Sequence, residues 1–256
     1  MVYDFEGHVA LVTGAGSGIG RATGQKFAAH GAKVVLADVN DEGGEETLAL
    51  IKDAGGEAIF VHTDVADEDS VKHLMQTTID TYGQLNYAAN NAGILPKFEP
   101  MHQKPVDVFD RVIAVNVRGV FLCMKYEIPL MLENGGAIVN TSSAAGLRAQ
   151  PGVADYAASK HAVNGLTRTA AVEYAALGIR INAVNPGGVV TNMVMNIQMD
   201  ESYAAMMQAA QQQDPHPIGR SAQPEEIANA IVWLCSDEAT FMVGHTLSVD
   251  GGMTVD

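Results

Sequence analysis

Short apolar runs of strand length alternate with amphipathic runs of helix length along the whole chain. The strand-length runs are residues 9–13, 33–37, 57–62, 85–89, 136–141, 180–184 and 246–249. The helix-length runs are residues 19–30, 42–54, 68–82, 106–132, 154–177, 201–212 and 224–236. Strands separated by helices pair in parallel, and strands without a polar alternation are buried on both faces. The sequence therefore predicts one α/β domain over residues 1–256, a doubly wound, seven-stranded parallel sheet with helices on both faces.

Polar residues and glycines follow most of the predicted strands, at the point where each strand ends. They are residues 13–20, Asp38, residues 63–65, residues 90–93, residues 142–143 and residues 185–187. In a doubly wound sheet, ligands bind beyond the carboxyl ends of the strands, where the strand order reverses. We therefore expect the functional site at this edge.

The turn after the first strand contains Gly14, Gly18 and Gly20, with Ser17 and Ile19 between them. Glycines allow a sharp turn and a close approach of the backbone to a pyrophosphate, and the following helix presents N–H groups and its positive dipole end. The spacing G-x-x-x-G-x-G differs from the dinucleotide fingerprint G-x-G-x-x-G, so a turn without a ligand remains an alternative for this motif alone.

Asp38 ends the second strand, where a carboxylate can accept hydrogen bonds from the ribose hydroxyls of an adenosine. The same carboxylate repels a 2′-phosphate, and no Arg or Lys lies in residues 15–17 or directly after Asp38. This pattern favours NAD over NADP. The alternative is that Asp38 caps the next helix, although Asn40 and Asp41 lie closer to the helix start.

Tyr156 and Lys160 are four residues apart on a predicted helix and therefore share a face. An ammonium beside a phenol favours the phenolate, so such a tyrosine can exchange protons near neutral pH. Ser142 and Ser143 precede this helix at the end of the fifth strand, and either hydroxyl is a candidate partner.

Together these motifs resemble the short-chain dehydrogenase/reductase family. The resemblance rests on residues 13–20, residues 90–93, Asn116, Ser143, Tyr156, Lys160 and the pair Pro186-Gly187, in the family's order and spacing. It implies a single-domain Rossmann fold and hydride transfer between a nicotinamide and a carbinol carbon. The 13-residue spacing to Tyr156 selects Ser143 over Ser142.

The resemblance also implies the role of each site residue. Tyr156 would be the general base, Ser143 would stabilise the substrate oxygen, and Lys160 would hold the nicotinamide ribose and lower the pKa of Tyr156. Asn116 would bend a helix and anchor a water near Lys160. The remaining residues expected to contact NAD are Gly14, Ser17, Gly18, Ile19, Gly20, Asp38, Asp64, Val65, Asn90, Gly93, Pro186, Gly187, Val189 and Thr191. Gly188 predicts that the loop after Pro186-Gly187 has more conformational freedom than usual.

Residues 191–219 interrupt the alternation with several methionines and resemble the family's mobile lid over the substrate. Methionine adapts to apolar shapes. The residues expected to contact the substrate are Leu95, Ala145, Leu147, Gln150, Val153 and Met193. We therefore expect a small or cyclic apolar secondary alcohol, interconverted with its ketone. The alternatives are a 3-oxoacyl reductase of the same family and an NAD-sensing regulator without catalysis.

The net charge of −15 argues against nucleic acid and anionic membrane surfaces as partners, since these require a basic patch. Two cysteines in apolar segments and scattered histidines predict buried thiols and no metal site. The N-terminal sequence is not typical of a signal peptide, and no apolar run approaches the ~20 residues of a membrane span. These features predict a cytoplasmic enzyme, and the family resemblance implies a homotetramer.

Overall fold

The computed structural model describes residues 3–195 and 216–255. Its strands are β1 Val9–Thr13, β2 Lys33–Asp38, β3 Glu57–His62, β4 Tyr87–Asn90, β5 Gly136–Thr141, β6 Ile179–Pro186 and β7 Thr246–Val249. Its helices are α1 Gly18–Ala29, α2 Asp41–Asp53, α3 Glu68–Tyr82, α4 Val106–Ile113, α5 Gly119–Met131, α6 Ala154–Tyr174, α7 Asn192–Met195 and α8 Pro224–Cys235. Among these helices, none is long and apolar enough to cross a membrane.

All seven strands form one sheet in the order β3-β2-β1-β4-β5-β6-β7, and every neighbouring pair is parallel. This confirms the predicted α/β fold. The order reverses between β1 and β4, so the crevice at the carboxyl ends of these central strands lies beside the glycine turn.

Each face of the sheet carries its own apolar core. One core packs α3, α5 and α6 against the sheet through residues such as Leu74, Met131 and Val163. The other packs α1, α2 and α8 through residues such as Phe27 and Ile231. Because both faces are covered, the strands are apolar at most positions and lack a regular polar alternation, as the sequence predicted.

One predicted helix is two helices in the structure. The run 106–132 is not continuous, because a π-helical turn, Ala114–Arg118, separates α4 from α5. Smaller differences concern element ends: β4 begins two residues later than predicted, β6 extends to Pro186, and α6 ends at Tyr174 before a short 3₁₀ turn. The predicted helix 201–212 and most of the predicted lid lie outside the described residues.

Candidate active site

A cavity opens at the carboxyl edge of the sheet, where the sequence placed the site. Of the residues predicted to act there, the wall contains Gly14, Ser17, Gly18, Ile19, Asp38, Asp64, Val65, Gly93, Ser143, Tyr156, Lys160, Pro186, Gly187, Val189, Thr191 and Met193. Residues that follow strands far apart in sequence therefore lie together around one cavity.

The glycine turn is tied to both neighbouring strands. Gly14 and Gly18 adopt positive φ angles of 66° and 50°, which favour glycine. A Cβ at Gly20 would lie 2.0 Å from the Gly14 carbonyl oxygen, so α1 can begin against the turn only with glycine there. The Thr13 hydroxyl accepts hydrogen bonds from the backbone N–H groups of Asn91 and Ala92, both at 3.0 Å. This joins the end of β1 to the loop after β4.

The start of α1 is suited to an anion. Ser17 is its N-cap residue, yet within the described part of the chain no side chain caps these N–H groups, and the first turn contains no acidic residue. The first N–H groups of the helix therefore face the cavity without an internal acceptor, as a diphosphate requires.

Asp38 lies directly against the glycine turn. Its Oδ2 accepts from the Gly16 N–H at 2.8 Å and its Oδ1 accepts from the Asn40 N–H at 2.9 Å. Asn40, and not Asp38, accepts from Gly43 N–H to cap α2. The carboxylate also borders the cavity, so it can still accept hydrogen bonds from a ligand.

Arg21 is a cation near this turn that sequence spacing did not indicate. Its Nη2 donates to the Gly16 carbonyl at 2.6 Å and pairs with Glu46 Oε2 at 2.5 Å. The guanidinium therefore links the turn to α2 and stabilises the turn. Only the contact between α1 and α2 shows this.

The loop after β3 forms another part of the cavity wall. Asp64 Oδ1 accepts from the Ala66 N–H at 2.9 Å, and Asp64 Oδ2 lies 3.5 Å from Arg111 Nη2. Arg111, which the sequence analysis did not include, also borders the cavity.

The Asn90 side chain does not line the cavity, and the contact of this residue with a cofactor stays a prediction. The residue is buried, and its Nδ2 donates to Glu127 Oε2 and to Asn140 Oδ1, both at 3.0 Å. Side chains alternate between the two faces of a strand, so Asn90 points into the core while the following residues reach the cavity.

The two serines after β5 are distinguished by their hydrogen bonds. The Ser142 hydroxyl donates to the Lys160 carbonyl at 2.9 Å and thereby holds α6. The Ser143 hydroxyl accepts from the Ala145 N–H at 3.1 Å and lies close enough to the Tyr156 phenol to act on its pKa. Ser143 is therefore the serine paired with Tyr156.

Tyr156 and Lys160 lie together on α6, as their spacing predicts. The ammonium is 5.5 Å from the phenol ring centroid and donates to the Thr141 carbonyl at 2.8 Å. Burial lowers the pKa of Lys160 to about 8. Burial raises the pKa of Tyr156, while the hydrogen bond with Ser143 acts in the opposite direction. Desolvation of the phenolate therefore sets the direction of the Tyr156 pKa in this structure, and the lowering expected from Lys160 stays a prediction.

Asn116 lies in the π-helical turn, which accounts for the bend expected there. Its Oδ1 accepts from the Ile94 N–H at 2.8 Å, and its Nδ2 donates to the Ile94 carbonyl at 3.0 Å and to Ser159 Oγ at 3.1 Å. Asn116 thus holds the loop after β4 against α6. A water link to Lys160 stays a prediction.

Gly93 lies close to two polar groups of the site, where a side chain would be crowded. A Cβ on Gly93 would come within 3.2 Å of Asn116 Oδ1 and 3.5 Å of Lys160 Nζ. Thr141 borders the cavity, and its buried hydroxyl has no hydrogen-bond partner among the described residues. Together with the open start of α1 and the Asp38 carboxylate, this fits an elongated dinucleotide.

The loop after β6 is held in place, contrary to the freedom expected from Gly188. The Gly188 N–H donates to His216 Nε2 at 2.7 Å, and its carbonyl accepts from Ala222 N–H at 2.9 Å. A Cβ at Gly188 would lie 2.7 Å from His216 Cε1. Glycine is present because the imidazole occupies the space of a side chain.

The predicted substrate residues are only partly brought together. Leu95 and Val153 pack with Phe98 and Tyr156 in a small apolar cluster. Within residues 3–195 and 216–255, however, the cavity wall includes Met193 but not Leu95, Ala145, Leu147, Gln150 or Val153. Their contact with substrate stays a prediction.

Known proteins resemble this chain over nearly its whole length. A family model described as enoyl-(acyl carrier protein) reductase matches residues 14–254. The cis-4-hydroxycyclohexanecarboxylate dehydrogenase of Sinomonas cyclohexanicum is 47% identical, and a 2,5-dichloro-2,5-cyclohexadiene-1,4-diol dehydrogenase of Sphingobium indicum is 44% identical, each over 98% of both chains. The chain belongs to the short-chain dehydrogenase/reductase family.

Solved structures of this family share the same architecture. Levodione reductase superposes with a TM-score of 0.90 at 37% identity, covering 98% of this chain and 100% of the other. The 3-ketoacyl-(acyl-carrier-protein) reductase of Brucella melitensis, solved with NADH, has a TM-score of 0.89 at 34% identity, with the same coverage. The protein is therefore an oxidoreductase of the short-chain family, whose members use NAD or NADP.

Proposed function

We propose that this short-chain dehydrogenase/reductase oxidises a small or cyclic, apolar secondary alcohol to its ketone with NAD. The observation that carries the proposal is the convergence of Ser143, Tyr156 and Lys160 at one end of a cavity that has Asp38 and the glycine turn at its other end.

The side chains divide the reaction between them. Bound NAD would supply the oxidised nicotinamide that accepts the hydride from the carbinol carbon. The Tyr156 phenolate accepts the proton of the substrate hydroxyl. The Ser143 hydroxyl donates a hydrogen bond to the substrate oxygen while this oxygen becomes a carbonyl. Lys160 lies in the same buried pocket, and the positive charge of its ammonium favours the Tyr156 phenolate. In the direction of ketone reduction, the Tyr156 phenol returns the proton.

Asp38 supports NAD as the cofactor. Its carboxylate can accept from two ribose hydroxyls and repels a 2′-phosphate at the same position. Arg21, a cation at the turn, is bound to Glu46 and to the Gly16 carbonyl. The resemblance to an enzyme solved with NADH is consistent with this choice.

The substrate class is supported by the apolar residues beside Tyr156 and by the relatives. Leu95, Phe98 and Val153 pack with Tyr156 and make the surroundings of its ring apolar. Two relatives bear the names of dehydrogenases for six-membered-ring alcohols. A ring alcohol is therefore the first substrate to test.

The test is a turnover assay with purified protein. NAD and NADP are each combined with cyclohexanol, open-chain secondary alcohols and a diol, and reduced nicotinamide is followed by its absorbance. We expect turnover of ring alcohols with NAD at a higher kcat/KM than with NADP. Tight binding of NAD without turnover of any alcohol or ketone would instead favour a regulatory sensor.

A second candidate is reduction of a 3-oxoacyl thioester, which the likeness to a 3-ketoacyl-(acyl-carrier-protein) reductase favours. A 3-oxoacyl thioester with NADPH or NADH belongs in the same assay. A kcat/KM for the thioester well above that for ring ketones would replace the alcohol proposal.

We also propose that the enzyme is a homotetramer that uses the outer faces of α4, α5 and α6. These helices expose the large apolar side chains of Phe109, Phe121 and Val172. Such side chains are favourable at a protein interface and costly in water. Light scattering on the purified protein measures the mass directly, and a monomer would contradict this assembly.

A further inference from the structure

Residues 94–104, the loop between β4 and α4, lie over the first turn of α6. The Glu99 N–H donates to the Gly152 carbonyl at 3.0 Å, just before the helix begins. Beneath the loop, Phe98 and Val153 are buried with Leu95 and Tyr156 packed against them. The loop and the start of α6 therefore share one packed contact that includes the proposed catalytic phenol.

A buried ion pair closes this contact. Lys104 Nζ lies 3.1 Å from Asp155 Oδ2, and the two side chains are 6% and 0% exposed. The contact with Asp155 Oδ2 is an ion pair without hydrogen-bond geometry, and the Lys104 ammonium donates its hydrogen bond to the Lys97 carbonyl at 2.9 Å, within the loop. Asp155 Oδ1 accepts from the Tyr156 N–H at 2.8 Å. One chain of contacts thus runs from the loop backbone to the backbone of Tyr156.

The burial of this pair sets it apart from surface pairs. Lys72 and Asp69 have the same chemistry at 2.9 Å, but their side chains are 49% and 90% exposed. Removal of one partner there leaves a hydrated charge, whereas removal of Lys104 or Asp155 leaves an unpaired charge in the protein interior. A buried pair of this kind restricts geometry, because few arrangements satisfy both charges.

We propose that Lys104 and Asp155 are positioning residues for the reaction inferred above, on which this proposal rests. The pair joins residues 94–104 to the first turn of α6 and thereby holds Tyr156 in register with Ser143. The pair also keeps the apolar side chains of Leu95 and Phe98 at a constant distance from the phenol. The pair acts through Tyr156 and does not contact the reacting atoms.

The test compares Lys104→Met, Asp155→Asn and Lys104→Arg with the surface controls Lys72→Met and Asp69→Asn. For each variant, kcat and the two KM values are measured per NAD-binding site, well below the unfolding temperature. Hydrogen exchange by mass spectrometry then follows the peptides that cover residues 94–104 and 152–158.

We expect Lys104→Met and Asp155→Asn to lower kcat by roughly 10- to 100-fold, the range typical of a misplaced catalytic group. The KM for NAD should stay within about twofold, because Asp38 and the glycine turn are remote from the pair. Lys104→Arg keeps the charge and should retain most of the activity, and the surface controls should match the wild type. Each disruptive variant should speed exchange in both peptides.

Two results would overturn the proposal. One is an unchanged kcat per binding site in both disruptive variants, which would leave the pair a purely structural role. The other is faster exchange in the mutated segment alone, which would show that the two segments are not coupled. If the wild type turns over no alcohol or ketone, the proposed function fails, and the exchange data decide the coupling independently.

Discussion

Glu127 on α5 is a carboxyl group enclosed by the protein beneath the active-site edge of the sheet. Its Oε2 accepts from Asn90 Nδ2 at 3.0 Å, and its Oε1 has no hydrogen-bond partner among the described residues. Burial raises the pKa of Glu127 from the ordinary 4.5 to about 7, and the hydrogen bond from Asn90 opposes that rise. We predict that Glu127→Gln makes the enzyme more stable than the wild type in alkaline solution.

The magnitude follows from the two pKa values. Because the folded pKa is the higher one, the group's stabilising contribution is fully present below pH 4.5 and is lost as the pH rises through about 7. The gap corresponds to roughly 3 kcal/mol of unfolding free energy, at about 1.4 kcal/mol per pH unit. A glutamine at position 127 can still accept from Asn90 but carries no charge, so this loss disappears.

Urea unfolding at several pH values between 5 and 8 measures the effect. The free energy of unfolding of Glu127→Gln relative to wild type should rise by a few kcal/mol from pH 5 to pH 8. The control is Glu133→Gln, since Glu133 is exposed just beyond the same helix. If wild type and Glu127→Gln show parallel pH dependences, Glu127 does not titrate in this range and the reasoning is wrong.

Three further predictions concern the reaction. Tyr156→Phe should lower kcat by about 10²- to 10⁴-fold and leave the NAD affinity unchanged in a fluorescence titration. If its activity equals that of the same-helix control Tyr174→Phe, Tyr156 is not the general base. Because burial raises the pKa of Tyr156, alcohol oxidation should accelerate with pH and ketone reduction should slow, in initial rates from pH 6 to 10; a flat profile with chemistry limiting would contradict this. Asp38→Asn should raise the NADP-to-NAD ratio of kcat/KM by roughly tenfold, since one charge facing the 2′-phosphate is gone, whereas the exposed control Asp41→Asn should leave it unchanged.

The sequence alone predicted the parts of this molecule that depend on local spacing. Alternating apolar runs predicted the parallel sheet, because a buried strand must be apolar on both sides. The four-residue spacing of Tyr156 and Lys160 placed them on one helix face, because a helix repeats every 3.6 residues. The glycine turn likewise lies within one strand–turn–helix unit. The structure confirms this fold, and the comparisons confirm the family.

The sequence did not predict the partners that lie far away in the chain. Arg21 is neutralised by Glu46, Gly188 is held by His216, and Asn90 turns inward to Glu127. Each of these contacts depends on where a distant segment returns to the sheet. A propensity or a motif contains no information about that return path.

The pattern of residue types thus determined a doubly wound sheet with a dinucleotide-like turn at one edge, because hydrophobic periodicity and glycine conformations act over a few residues. Tertiary structure alone decided which charges are buried together. Lys104 and Asp155 are ordinary surface residue types, 51 positions apart in sequence. They become a buried pair beside Tyr156 only because the loop after β4 folds over α6. At this place both side chains are removed from water, and each charge requires the other as its partner.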